Sequence, residues 1–152
     1  MGTNLMRAAV VVSAICWAAG VAQGDAGWVG QPYSVSIPTH INSINQAVSA
    51  STDITLHHDD ACDIAVSVAL AGDEVLTSSG RTLTTAYMLT GTDLSIPDGA
   101  WVASATFITK TYHVLGTGPN STITLSVQAT PPSNQAPDAG TYTGSITLTA
   151  SW

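Results

Sequence analysis

Residues 141–152 alternate without a break: Tyr142, Gly144, Ile146, Leu148, Ala150 and Trp152 fall on one face, with Thr and Ser on the other. A repeat of two is the signature of a half-buried strand, so this stretch predicts a terminal β-strand that sends Tyr142, Ile146, Leu148 and Trp152 into a core. Because the chain ends inside this strand, its C-terminus is expected to be locked into a sheet. The same alternation recurs in shorter pieces at 33–38, with Tyr33, Val35 and Ile37 on one side, at 47–57, with Ile54 and Leu56, and at 63–71, with Ile64, Val66, Val68 and Leu70. Further strands are predicted at 82–89, 101–109 (Trp101 or Val102 inward), 112–115 and 121–128. Turn formers separate them, among them Asp59-Asp60, Ala71-Gly72-Asp73, Ser78-Ser79-Gly80 and Pro97-Asp98-Gly99. Past residue 24 no apolar stripe of helical period has useful length, and no repeat of domain-building size is visible. The pattern predicts an all-β protein: a single Ig-like antiparallel β-sandwich of about seven or eight strands.

The first 24 residues follow a different rule. Arg7 is the sole charge, residues 8–22 are almost uniformly apolar, and Ala22-Gln23-Gly24 offers small residues for a peptidase. This is the layout of a signal peptide, and the run is too short to read as a membrane anchor. Residues 1–24 are expected to be removed on export, leaving one domain at 25–152 that meets the membrane only in transit and works outside the cell or at its surface.

Charge narrows the partners. The part after residue 24 carries all ten acidic side chains against Arg81 and Lys110 alone. A surface of that sign repels phosphate backbones, which argues against a nucleic-acid partner. Polar positions are filled by Ser and Thr rather than by Lys and Glu, a choice that suits the outward faces of strands. Cys62 is the one cysteine left after the leader, so no disulfide can form within the exported chain, and a buried small hydrophobe is the ordinary role for it.

The segment Ala139-Gly-Thr-Tyr-Thr-Gly-Ser-Ile-Thr-Leu-Thr149 resembles the closing strand of spore coat protein U-like subunits of archaic chaperone-usher pili. It also resembles the end of Ig-like modules on bacterial surface proteins, in which an opening strand like Tyr33-Ser-Val-Ser-Ile-Pro38 is common. The pilin resemblance implies a sandwich completed by a strand from the next subunit, self-association into a polymer, and a periplasmic chaperone and usher as partners. The mature N-terminal segment, with Trp28, Val29, Tyr33, Val35 and Ile37, would then make the subunit contacts, and deletion of 25–30 is expected to abolish assembly while leaving the fold. Gly27 and Gly30 interrupt that segment, and the paired cysteines common in such pilins are missing.

Chemistry-bearing residues are few. His57-His58-Asp59-Asp60, followed by Cys62 and Asp63, is the densest set of potential metal ligands, with His113 or His40 able to help only if folding brings them near. Adjacent strand residues point to opposite faces, so His57 and His58 do not readily share one ion, and a strand end entering a polar turn accounts for the same letters. Asp59-Asp60 and Asp73-Glu74 lack the ladder of a calcium loop and read as turn carboxylates. No Gly-x-Ser-x-Gly elbow or facing carboxylate pair is evident, and Cys62 next to Asp63 would be a poor thiolate. Trp28 is predicted to be the ring freest for surface contact, and Trp101 and Tyr142 to be core. Low charge, hydroxyl-rich strands and the absence of catalytic motifs, taken with what the two-ended resemblance implies, lead to the expectation of a non-enzymatic, cofactor-free subunit of a surface filament, pilus or coat that assembles through strand edges. The alternative is a secreted module binding carbohydrate, or a metal through His57, His58 and His113.

Overall fold

The computed structural model describes residues 6–14, 26–37, 47–131 and 140–151, with the backbone alone for 6–14, Ile37 and Gly140. His40, Trp152 and the expected cleavage site at 22–24 lie outside the described residues. The elements are β1 (Met6–Ala14), β2 (Ala26–Val29), β3 (Tyr33–Ile37), β4 (Val48–His58), β5 (Cys62–Ser67), β6 (Leu76–Ser78), β7 (Arg81–Thr90), β8 (Val102–Ala103), the single-turn helix α1 (Ser104–Phe107), β9 (Thr111–Val114), β10 (Asn120–Thr130) and β11 (Gly140–Ser151). The fold is largely strand, and pairing is antiparallel except between β1 and β11.

Alternation places the core as the sequence pattern predicts. On β11, Tyr142, Ile146, Leu148 and Ala150 are fully buried, while Thr141 and Thr143 are exposed. Ile54 and Leu56 on β4, Ile64 and Val66 on β5, Leu83, Tyr87 and Leu89 on β7, and Ile123, Leu125 and Val127 on β10 join them in one apolar cluster. Burial of that many branched and aromatic side chains is the main source of stability in a chain with so few charges.

Two sets of strands feed this cluster. One runs β2-β4-β10-β7-β8, and the other holds β3, β1, β11, β5 and β9 in that order. They are joined by β7, whose first residues pair with β6 (Leu83 opposite Leu76) and whose later ones pair with β10 (Thr84 opposite Thr130). At this change of partner the Leu76 N–H would be left without a strand acceptor; buried Thr85 supplies its Oγ1 at 3.0 Å and donates onward to the Leu83 carbonyl at 3.0 Å. A buried threonine here meets the requirement that buried backbone groups be paired.

Several elements differ from the sequence prediction. The strand expected at 101–109 is two residues of strand followed by α1, because Ser104 and Phe107, three apart, are the buried positions and a helical turn aims both inward. Phe107 stacks on Tyr87, with ring centroids 5.0 Å apart. The strand predicted to run to residue 71 stops at Ser67 and gives way to turns; Leu70 is 71% exposed. Strands β2 and β6, four and three residues long, are too short for alternation to reveal.

Candidate functional site

The place where this architecture departs most from a self-sufficient antiparallel array is the lane between β3 and β11. Its occupant is β1, drawn from the stretch with leader composition. It runs parallel to β11 from Met6 opposite Gly140 to Ala14 opposite Leu148, and antiparallel to β3 from Ala8 opposite Ile37 to Val12 opposite Tyr33. On its other edge β11 is already paired, with β5 at Thr147–Ser151 and with β6 at Thr143. Strand β11 is thus an interior strand only while its β1 edge is filled.

The walls of the lane are built from local rules. Val35 of β3 is buried, and Tyr33 is half-buried with its hydroxyl bonded into the other set of strands: it accepts from Thr55 N–H at 3.1 Å and also contacts the Val29 carbonyl. That hydroxyl holds β3 to β4 by a side chain rather than by a ladder. Gly30, at φ +78°, supplies the left-handed turn between β2 and β3 that residues with a Cβ rarely adopt. Across the lane, Tyr142, Ile146 and Leu148 give β11 an apolar inner face.

Of the residues expected to make subunit contacts, Tyr33, Val35 and Ile37 lie on a lane wall, each opposite a β1 residue. Trp28 and Val29 do not. Both belong to β2, which pairs with β4 (Trp28 opposite Leu56). Trp28, predicted to be the freest ring, is only 6% exposed, and its Nε1 has no hydrogen-bond partner among the described residues. The prediction failed because Trp28 stands in a four-residue strand whose face no periodicity could assign. Deletion of 25–30, expected from the sequence to abolish assembly while leaving the fold, would uncover a β4 edge and remove a core ring. Trp101, predicted to be core, is instead 37% exposed.

The histidines are held apart. His58 is buried, with Nδ1 3.1 Å from the Asp60 carbonyl and Nε2 2.7 Å from Ser121 Oγ. A carbonyl only accepts, so Nδ1 donates to it, and with Nε2 against the serine both ring nitrogens are used. His57, one residue earlier and on the other face, contacts the Asn120 side chain at 3.2 Å. His113 on β9 faces Asp63 on β5 at 2.8 Å. Cys62 is buried, and among the described residues no three His, Cys, Asp or Glu side chains converge as a metal would require. The acids of the 70s turn cap it: Asp73 accepts from Leu70 N–H at 3.1 Å and Glu74 from Gly72 N–H at 2.8 Å.

One polar cluster was not legible in the sequence. Asp98, in the connection after β7, has a nearly inaccessible side chain; its Oδ2 accepts from Leu89 N–H at 2.9 Å and from the Tyr112 hydroxyl at 2.6 Å, while its Oδ1 meets Lys110 Nζ. Its own N–H donates to the Leu89 carbonyl at 2.9 Å. Asp98 thereby acts as a one-residue strand partner for the end of β7. Burial, then the hydrogen bond and negative charge of Asp98, hold the Tyr112 hydroxyl well above the usual tyrosine range.

No protein-family model matches this chain, and no curated protein does. Among solved structures it is similar to the crystal structure of the CupB6 tip adhesin from Pseudomonas aeruginosa, with 14% sequence identity and a TM-score of 0.39 over 72% of this chain and 35% of that one. The chain therefore corresponds to about a third of the length of that adhesin. Among the described residues no helix is long and apolar enough to cross a membrane.

Proposed function

We propose that the protein is an exported Ig-like β-sandwich subunit of a surface filament or coat, and that the lane between β3 and β11 is where a strand from another chain is received. The observation that carries this reading is the identity of the strand now in the lane: β1 comes from the segment with the charge and apolar layout of a cleaved leader. Removal of that leader would strip the β11 edge of its partner along residues 140–148 and leave β3 with no strand partner among the described residues. An apolar, unpaired edge of this length is a template for strand addition. Tyr33, Val35 and Ile37 would act as receiving positions rather than as the donated strand, which fits their place in β3. A periplasmic chaperone would hold the lane during export, and an usher would exchange it for the next subunit.

The test is electrophoresis of the exported, N-terminally sequenced protein in denaturant, unheated and boiled, with negative-stain microscopy of the unheated sample. A ladder that collapses on boiling, together with fibres, is the expected result. A cleaved leader with a single monomer band and empty grids would overturn the proposal, as would a leader retained in the secreted protein.

A further inference from the structure

The chain has a single lysine, and it is spent inward, on the carboxylate of Asp98. In a chain whose polar surface is built from hydroxyls and acids, that placement is costly for the carboxylate, since taking an ion out of water is unfavourable unless the site compensates. The Asp98 side chain is 2% exposed and that of Lys110 33%. Lys110 Nζ sits 4.9 Å above the centre of the Tyr112 ring, and Phe107 and Tyr87 continue the aromatic wall beyond it.

We infer that Lys110 and Asp98 condense to an intramolecular amide that staples the connection after β7 to the start of β9. The placement of the groups matches the needs of the reaction. A proton passes within the pair from Nζ to Oδ1, leaving a neutral amine and a neutral carboxylic acid. The Nζ lone pair forms a bond to Cγ, and the Cγ–Oδ1 electrons go to the departing oxygen, which leaves as water with the transferred proton and a second proton from Nζ. Ammonium plus carboxylate gives amide plus water, with no oxidant or cofactor. Charge that develops on the other oxygen, Oδ2, falls between two donors already in place, Leu89 N–H and the Tyr112 hydroxyl, which form an oxyanion hole around it. Such condensation is unfavourable between free molecules in water. Here the reactants are held in contact, where effective molarities reach ~10⁵–10⁸ M, and the product replaces a buried carboxylate and its half-buried ammonium partner with a neutral group.

The test is mass spectrometry of the exported chain, intact and after denaturation and trypsin digestion. After the leader only Arg81 and Lys110 can direct tryptic cleavage, and an acylated Lys110 cannot. The wild type is expected to be lighter than its sequence by one water and to yield residues 82–152 as a single peptide, whereas Lys110→Arg has the full mass and is cut after position 110. Full mass in the wild type would overturn the inference. So would a loss of water accompanied by normal cleavage after Lys110, the mark of a succinimide at Asp98-Gly99, or a loss that persists in Lys110→Arg.

Discussion

Gly144 sits in the middle of the inward face of β11, between Tyr142 and Ile146, where alternation calls for a large side chain. The 70s turn takes that space. A Cβ at this position would lie 3.0 Å from the carbonyl oxygens of both Asp73 and Val75 and 3.3 Å from the Val75 carbonyl carbon. These are backbone atoms, and one of them, the Asp73 oxygen, accepts the Ser145 N–H at 2.7 Å. In Gly144→Ala the turn must retreat from β11 by a few tenths of an ångström, an overpacking cost of about 1–3 kcal/mol. Stretching the Ser145 bond adds about 1 kcal/mol, and the stiffer unfolded chain gives back about 0.4–1 kcal/mol. The net destabilisation is about 1–3 kcal/mol. The comparison is Gly27→Ala, in β2, where nothing lies within 4 Å of the new atom; it should fall within about 0.5 kcal/mol of wild type. Urea unfolding followed by circular dichroism reads both. At a slope of about 1–3 kcal/mol per molar, the Gly144→Ala midpoint drops by roughly 1 M. Equal midpoints for the two variants would refute the claim that the turn backbone, rather than strand propensity, requires a glycine at 144.

Trp28 offers a second check, because its ring is buried but its N–H is unpartnered among the described residues. Trp28→Ala should cost about 3–5 kcal/mol by urea denaturation, whereas Trp28→Phe keeps most of the apolar body, removes the unpaired donor and should cost under about 1.5 kcal/mol; similar losses for both would show that the N–H is satisfied. Alkaline stability gives a third. Burial, with a smaller contribution from Glu74, raises the Tyr87 hydroxyl well above its ordinary range, and burial with Asp98 does the same for Tyr112. The folded state therefore keeps protons that the unfolded state releases near pH 10, so this contribution is complete below about pH 10 and is lost as pH rises beyond it. Tyrosinate absorbance of these two residues should appear only with the loss of circular dichroism, and reversible ionisation of both near pH 10 in a folded protein would contradict their burial.

The pattern of alternation was sufficient for most strands. In β4, β7, β10 and β11 the buried apolar residues are those on the apolar face of the sequence, because the two-residue period is a property of the extended backbone itself and needs no knowledge of neighbours. Where short segments carry the information, it ran out. Trp28 and Trp101 exchange the exposures assigned to them, since a ring in a four-residue strand, or just ahead of a two-residue one, is buried or exposed according to what crosses it. Residues 104–107 turn helical because Phe107 has a seat against Tyr87, a partner 20 positions away. His57 and His58, adjacent in sequence, are separated to opposite faces by the strand they share, as the pleat requires, and His113 is held by Asp63 on another pair of strands.

By itself, then, the sequence determined an acidic, hydroxyl-faced, strand-built chain with Tyr142, Ile146 and Leu148 inside, because composition and period act locally. Only the tertiary structure decided which strand lies beside which: β1 in the lane between β3 and β11, β7 shared between two sets of strands, and Asp98 against Lys110. Strand pairing uses backbone groups that every residue carries, and a buried ion pair joins side chains from separate elements. Neither leaves a mark in the order of the letters.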